Sequence, residues 1–85
     1  MHENDSFFDL FDQGYRQYLL STDPSDRADG LAFIITAFHE TALKEARLMG
    51  RKPPDPQRFT KKWLEEHGAN FDESVIEAAL EEGLI

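Results

Sequence analysis

Two aspartate–proline pairs, Asp23-Pro24 and Asp55-Pro56, constrain what this chain can fold into more than any other feature of it. An aspartate carboxylate caps free amide groups at a helix start, and proline suits the first helical position, where its missing N–H is not needed. Each pair therefore opens a helix. With the Gly68 to Asp72 cluster, these breakers cut the chain into four segments whose apolar residues recur with helical rather than alternating spacing. The expected fold is all-α: a small bundle of about four helices, over residues 5–20, 24–49, 56–67 and 72–82. The second helix is long and central, and the last two form a helix-turn-helix-like pair. No strand is required.

The inward faces follow from a turn of roughly 100° per residue. Phe8, Phe11, Tyr15 and Tyr18 step by three and four along the first helix, opposite a stripe of Asp5, Asp9, Asp12 and Arg16. Gly14 weakens that helix by about 1 kcal/mol relative to alanine. In the second helix Leu31, Ile34, Ile35, Phe38, Ala42, Ala46 and Met49 share one face, while Phe33, Ala37 and Leu48 fall outside it. That helix is expected to be covered on more than one side. Phe59, Trp63 and Leu64 give the third helix an inward edge, and Val75, Ile76, Ala79 and Leu80 give the fourth an apolar arc. Gly50, Gly68 and Gly83 supply the stops, Asp72 the last cap, and Leu84 folds back after Gly83.

A chain of 85 residues makes one domain, 1–85, with one core. Folding buries roughly 60–65% of its unfolded surface. Hydrophobic residues at 40% supply enough apolar mass for that core, so pervasive disorder is not expected. The absence of cysteine removes disulfides, thiolate metal sites and a cysteine nucleophile, and fits a reducing cytoplasm. The longest uncharged run, Gly30 to Phe38, falls far short of the roughly 20 apolar residues of a membrane-spanning helix. The acidic start, Met1-His2-Glu3-Asn4-Asp5, is unlike a secretory signal.

Charge is strongly segregated beneath a net value of −8. Residues 1–30 hold seven acids and two bases, residues 31–69 five acids and seven bases, and residues 70–85 five acids and no base. The seven bases are Lys44, Arg47, Arg51, Lys52, Arg58, Lys61 and Lys62. In one reading the acidic ends fold against this basic middle, each exposed pair contributing about 0–1 kcal/mol. In the other, stripes of Asp5, Asp9 and Asp12 and of Glu73, Glu77 and Glu81 face water and steer toward a basic partner, as an inhibitor mimicking nucleic acid would. Arg51, Lys52, Arg58, Lys61 and Lys62 could form a basic patch near Phe59 and Trp63, whose rings could stack nucleobases, but the overall negative field opposes a polyanion.

Residues 59–68, Phe59-Thr60-Lys61-Lys62-Trp63-Leu64-Glu65-Glu66-His67-Gly68, followed by 75–85, Val75-Ile76-Glu77-Ala78-Ala79-Leu80-Glu81-Glu82-Gly83-Leu84-Ile85, resemble half of a winged helix-turn-helix over about a third of the chain. The resemblance implies a second helix that enters the major groove. Here that helix carries Glu73, Glu77, Glu81 and Glu82 and no base, which disfavours DNA reading. Residues of about 36–82 also resemble the soluble helical tail of some phage holins. The membrane segment of that family is not present, and no function is carried across.

Residues that do chemistry are scattered. His2, His39 and His67 show no metal-ligand spacing, and no metal or cofactor is expected. His39 reads as a hydrogen-bonded structural side chain at the edge of the second helix, with Glu40 pairing to Lys44 and Lys61 and Lys62 to Glu65 and Glu66. Ser6, Ser21, Ser25 and Ser74 sit in caps or turns without a nucleophile motif. An enzyme is not expected. Phe7 and Phe8 point about 100° apart, so either the first helix is wrapped on two sides or one of the rings is offered to another chain; the second reading is preferred, with Phe7 taken as the partner-binding ring. The expectation is a cytoplasmic, non-enzymatic protein-interaction module, an inhibitor or adaptor, that binds a basic protein through Asp5, Asp9, Asp12, Glu73, Glu77, Glu81 and Phe7, with no nucleic-acid or membrane partner. The alternative is a structural or regulatory protein that self-associates, its helix-turn-helix-like end serving assembly.

Overall fold

The computed structural model describes residues 5–85 and contains four α-helices: α1 (Asp5–Leu20), α2 (Pro24–Leu48), α3 (Pro56–His67) and α4 (Glu73–Glu81). A single 3₁₀ turn, Gly68–Asn70, joins α3 to α4. Both aspartate–proline pairs act as their chemistry dictates. The Asp23 carboxylate accepts from the Ser25 amide at 3.4 Å and Asp55 from the Arg58 amide at 3.1 Å. Gly50 and Gly83 take the left-handed conformation, with φ of 66° and 74°. Each closes its helix with two reversed bonds. Arg51 and Gly50 donate to the carbonyls of Ala46 and Arg47, and Leu84 and Gly83 to those of Ala79 and Leu80.

Two terminators behave otherwise. Gly68 has φ of −58°, so it is not a left-handed stop. It carries the chain on into the 3₁₀ turn, which ends at extended Phe71. Asp72 occupies the N-cap of α4, but its side chain makes no capping bond. The carboxylate is diverted to the Arg27 guanidinium at 2.7 Å, and a stronger charged partner outcompetes a backbone amide.

The α1–α2 crossing is built on two glycines. A Cβ placed on Gly14 would lie 2.6 Å from the Gly30 carbonyl oxygen and 2.8 Å from the Phe33 Cβ. One placed on Gly30 would lie 2.6 Å from the Gly14 carbonyl oxygen and 2.7 Å from the Tyr18 amide nitrogen. No side chain fits between these backbones. The helices therefore pack at closer range than side-chain ridges allow. This crossing sets the roll of α1. Its inward line is Phe7, Phe11, Gly14 and Tyr18, not the expected Phe8, Phe11, Tyr15 and Tyr18. Tyr18 is buried and Phe7 and Phe11 are half-buried, whereas Phe8 and Tyr15 are exposed.

The opposite side of α2 receives α3 and α4. Leu31, Ile34 and Ile35 form one core with Tyr18, Trp63, Val75 and Ala79, so every helix contributes. Ala37, outside the expected face of α2, is fully buried, and half-buried Phe33 meets α1 at Gly14. The face stops short at its end: Met49 is exposed, as is Leu80 on α4. Phe38 links the two sides through aromatic contact, its ring 5.3 Å from Phe7, 5.9 Å from Phe11 and 5.8 Å from Trp63. Trp63 continues to Phe71 at 5.6 Å, and Phe71 to Tyr18 at 5.1 Å.

A polar node locks α4 to the α1–α2 pair. The Tyr18 hydroxyl accepts from the Asp72 amide at 2.7 Å, while Arg27 Nε donates to the Tyr18 carbonyl at 3.0 Å and its guanidinium lies 4.7 Å above the Tyr18 ring. At the other end of α4, Ser25 Oγ donates to Glu82 at 3.1 Å. Both ends of this short helix are thus tied to the first turn of α2.

Gly14→Ala and Gly30→Ala should each destabilise the fold in chemical denaturation by about 1–3 kcal/mol, because overpacking outweighs the roughly 1 kcal/mol that alanine contributes to helix propensity. Gly68→Ala, whose Cβ would meet only Ile76 Cδ1 at 3.7 Å and Leu64 Cβ at 4.0 Å, should be neutral or stabilising in the same assay. Trp63→Ala should cost about 3–5 kcal/mol in thermal melts, since the indole is 6% exposed.

Candidate functional site: acidic helical faces

The roll of α1 imposed by Gly14 decides which of its side chains meet water. Asp9 and Asp12 are exposed on the face away from α2. Asp5 begins α1, and its side chain lies outside the described residues. Beside these acids runs an apolar row: Phe8, Tyr15 and Leu19 are 61%, 39% and 61% exposed, at the i, i+7, i+11 spacing that stacks on one helical line. Phe7, the expected partner ring, is half-buried, stacked on Phe11 at 5.8 Å and edge-on to Phe38 at 5.3 Å. The ring turned outward is its neighbour Phe8.

Glu73, Glu77 and Glu81 form an exposed row on α4, one turn apart, with exposed Leu80 alongside. Glu81 and Glu82 close this helix with no base in its last turn. Negative charge there opposes the helix dipole, costing about 0.3–1 kcal/mol per group. The α1 and α4 backbones stay apart, bridged by the Tyr18 side chain, which meets the Asp72 amide at the cap of α4 and shares its core with Val75 and Ala79. The two acidic rows are therefore two surfaces.

Neutralisation is sparse. Among the described residues ion pairs join Arg16 to Asp12 at 3.0 Å, Arg27 to Asp72 at 2.7 Å, and His67 to Glu66 at 3.9 Å, the last only with a protonated ring. None of the seven bases from Lys44 to Lys62 enters such a pair, and the expected Glu40–Lys44, Lys61–Glu65 and Lys62–Glu66 contacts do not close. Long side chains on a solvated surface gain too little to hold one geometry.

His39 and His67 are both placed by aromatic packing. His39 Nε2 lies 3.4 Å from the Pro54 carbonyl, which can only accept, so the ring bonds to it only in a form that carries a proton on Nε2. Its ring is 5.0 Å from Phe59. His67 ends α3 with its ring 5.0 Å from Trp63 and 6.1 Å from Phe38. Two open grooves flank α3. One, of about 860 Å³, lies over Phe59, Trp63 and the proline turn, with Lys52, Arg58 and Lys62 at its rim. The other, of about 820 Å³, lies between α2, α3 and the chain end, over Ile35, Leu64 and Leu80, with His39 and Glu65 at its wall. Among the described residues no cluster of three histidine or carboxylate side chains is arranged to hold a metal ion.

Comparison with protein-family models, with curated proteins and with solved structures gives no match, so no function passes to this chain from a relative. Among the described residues no helix is long and apolar enough to cross a membrane.

Phe8, Tyr15 and Leu19 were missed by reasoning from the sequence, which counted Phe8 and Tyr15 as core. The available signal was Gly14, four residues before Tyr18 and three after Phe11: a seam of Phe7, Phe11, Gly14 and Tyr18 has the three–four spacing of a helix contact line. Phe8→Ala and Leu19→Ala should leave the unfolding midpoint within about 0.5 kcal/mol of the parent, while Phe7→Ala and Phe11→Ala should lower stability by about 1–3 kcal/mol. Parallel denaturation of the four variants checks the assignment of faces.

Proposed function

We propose that this protein is a non-enzymatic interaction module, an inhibitor or adaptor, that engages a basic protein surface through the acidic faces of α1 and α4. The observation that carries the reading is the state of the charges. Asp9, Glu73, Glu77 and Glu81 stand in water, and no base among the described residues pairs with them. Separated charges of this kind steer association and set its orientation, and they lose force as salt shortens the screening length. Phe8, Tyr15 and Leu19 give α1 the apolar anchor row by which an amphipathic helix seats in a partner's groove, with Asp9 and Asp12 beside it to meet a basic rim.

The acidic end of α4 supports the same reading. A helix shaped only for stability would carry bases, not Glu81 and Glu82, in its last turn. Mimicry of a phosphate backbone is the most specific form of the proposal, with the carboxylate row of Glu73, Glu77 and Glu81 repeating at about 6 Å along the helix. A cytoplasmic location belongs to this reading, consistent with a cysteine-free chain. A second reading, self-association through the helix-turn-helix-like end, is favoured by exposed Leu80 and Leu84 bordering the groove over Ile35 and Leu64.

Quantitative capture from a host extract separates the two. The parent protein should retain basic proteins at about 0.05 M salt and release them by about 0.5 M, where screening acts within a few ångströms. Asp9→Lys with Asp12→Lys, and Glu73→Lys with Glu77→Lys, should each lower the retained amount at least tenfold. An unchanged set of captured proteins in both reversed variants would contradict the proposal.

A further inference from the structure

α2 is one continuous helix of 25 residues, about 37 Å long at 1.5 Å per residue, and its two ends are chemically opposite. At its start the chain folds α1, α2 and α4 together. Gln17 Nε2 donates to the Asp26 carbonyl at 2.8 Å, Ser21 Oγ to the Asp26 carboxylate at 3.4 Å, and Ser25 Oγ to Glu82 at 3.1 Å. Asp23, Asp26 and Glu82 are exposed at this end, as is Leu20, 79% exposed and next to Leu19 in the chain. Residues 19–26 contain no base, and Arg27 is taken by Asp72.

At the far end, Lys44, Arg47, Arg51 and Lys52 are exposed around Leu48 and Met49, which are 87% and 57% exposed. Glu45 is the one acid among residues 41–52. Acids at the start and bases at the end of α2 complement its dipole, and that alone would explain the signs. It does not explain a pair of bare apolar side chains at each end.

The two ends cannot meet within one molecule, because α2 holds them apart. They can meet between molecules. We infer that the protein associates head to tail with further copies of itself, the Leu20 end of one copy covering the Leu48–Met49 end of the next. Opposite charge around each apolar pair gives the contact its orientation, and like ends repel. The net charge of −8 does not prevent this, since the ends lie several screening lengths apart at physiological salt, where that length is about 8 Å. A contact between two different surfaces of the same chain does not close on itself by symmetry, so it extends into longer assemblies or rings. This surface shares Leu19 and Glu82 with the faces of the proposed function, but it needs none of Asp9, Asp12, Glu73 and Glu77, and its occupant is a second copy rather than a foreign basic protein.

The test uses two exposed substitutions on the full chain, Leu20→Lys and Leu48→Glu, with circular dichroism melts confirming the fold. Sedimentation of the parent at low salt should show an average mass that rises with concentration past the dimer, or to a closed ring. Each variant alone should stay monomeric, because every copy lacks the same end. An equimolar mixture should form one-to-one dimers that do not grow, since Leu20→Lys retains its basic end and Leu48→Glu its acidic end. A monomeric parent at all concentrations, variants that assemble like the parent, or a mixture that stays monomeric while the parent assembles would each overturn the inference.

Discussion

The structure depends on the contact of two backbones at Gly14 and Gly30. Where a Cβ on either residue would fall 2.6 Å from the other's carbonyl oxygen, only hydrogen can stand. Everything else on α1 takes its direction from that crossing. Phe7, Phe11 and Tyr18 turn toward α2 because they lie on the same helical line as Gly14. Phe8, Tyr15 and Leu19 are left outside, with Asp9 and Asp12 next to them. The conformational cost of two glycines within helices, about 1 kcal/mol each, is what this seam requires. The close approach also brings Tyr18 to where its hydroxyl and carbonyl meet Asp72 and Arg27, so the placement of α4 follows from the same crossing.

Around that seam the chain divides its labour by chemistry. Apolar and aromatic side chains make a single continuous core from Phe7 through Phe38 and Trp63 to Tyr18. No charged side chain among the described residues is buried in it. Among the described residues the charges are left to the surface, where two of the three ion pairs are local and the third, Arg27–Asp72, joins the start of α2 to the cap of α4. A surface ion pair contributes about 0–1 kcal/mol, too little to gather the acidic ends of the chain against its basic middle. Segregation along the sequence therefore persists as segregation in space, and it underlies both the acidic rows and the opposed ends of α2.

Most helix boundaries were legible because they rest on local chemistry. Asp23-Pro24, Asp55-Pro56, Gly50 and Gly83 each act within one turn of their own position, and they behave as their residue types require. Gly68 ends α3 where expected, though without a left-handed turn, while the Asp72 cap was misjudged because it is decided at long range. Arg27, distant in sequence, removes the Asp72 carboxylate from its cap, and the 3₁₀ turn lets Gly68 stay right-handed. The roll of α1 was missed for a related reason. Hydrophobic periodicity weighs side chains, and a contact made by the absence of side chains carries no weight in it. Of the candidate site, exposure of Asp9, Asp12, Glu73, Glu77 and Glu81 was legible from their spacing, while the choice between Phe7 and Phe8 was not.

The most direct measurement is the nuclear Overhauser spectrum of the protein in solution, taken at the Gly14 and Gly30 α-protons. The account predicts strong cross-peaks between these protons and from Gly30 to the Tyr18 amide, with none linking Phe8 to α2. Glycine α-protons that show only intrahelical cross-peaks, or a Phe8 ring in contact with Phe38, would contradict it.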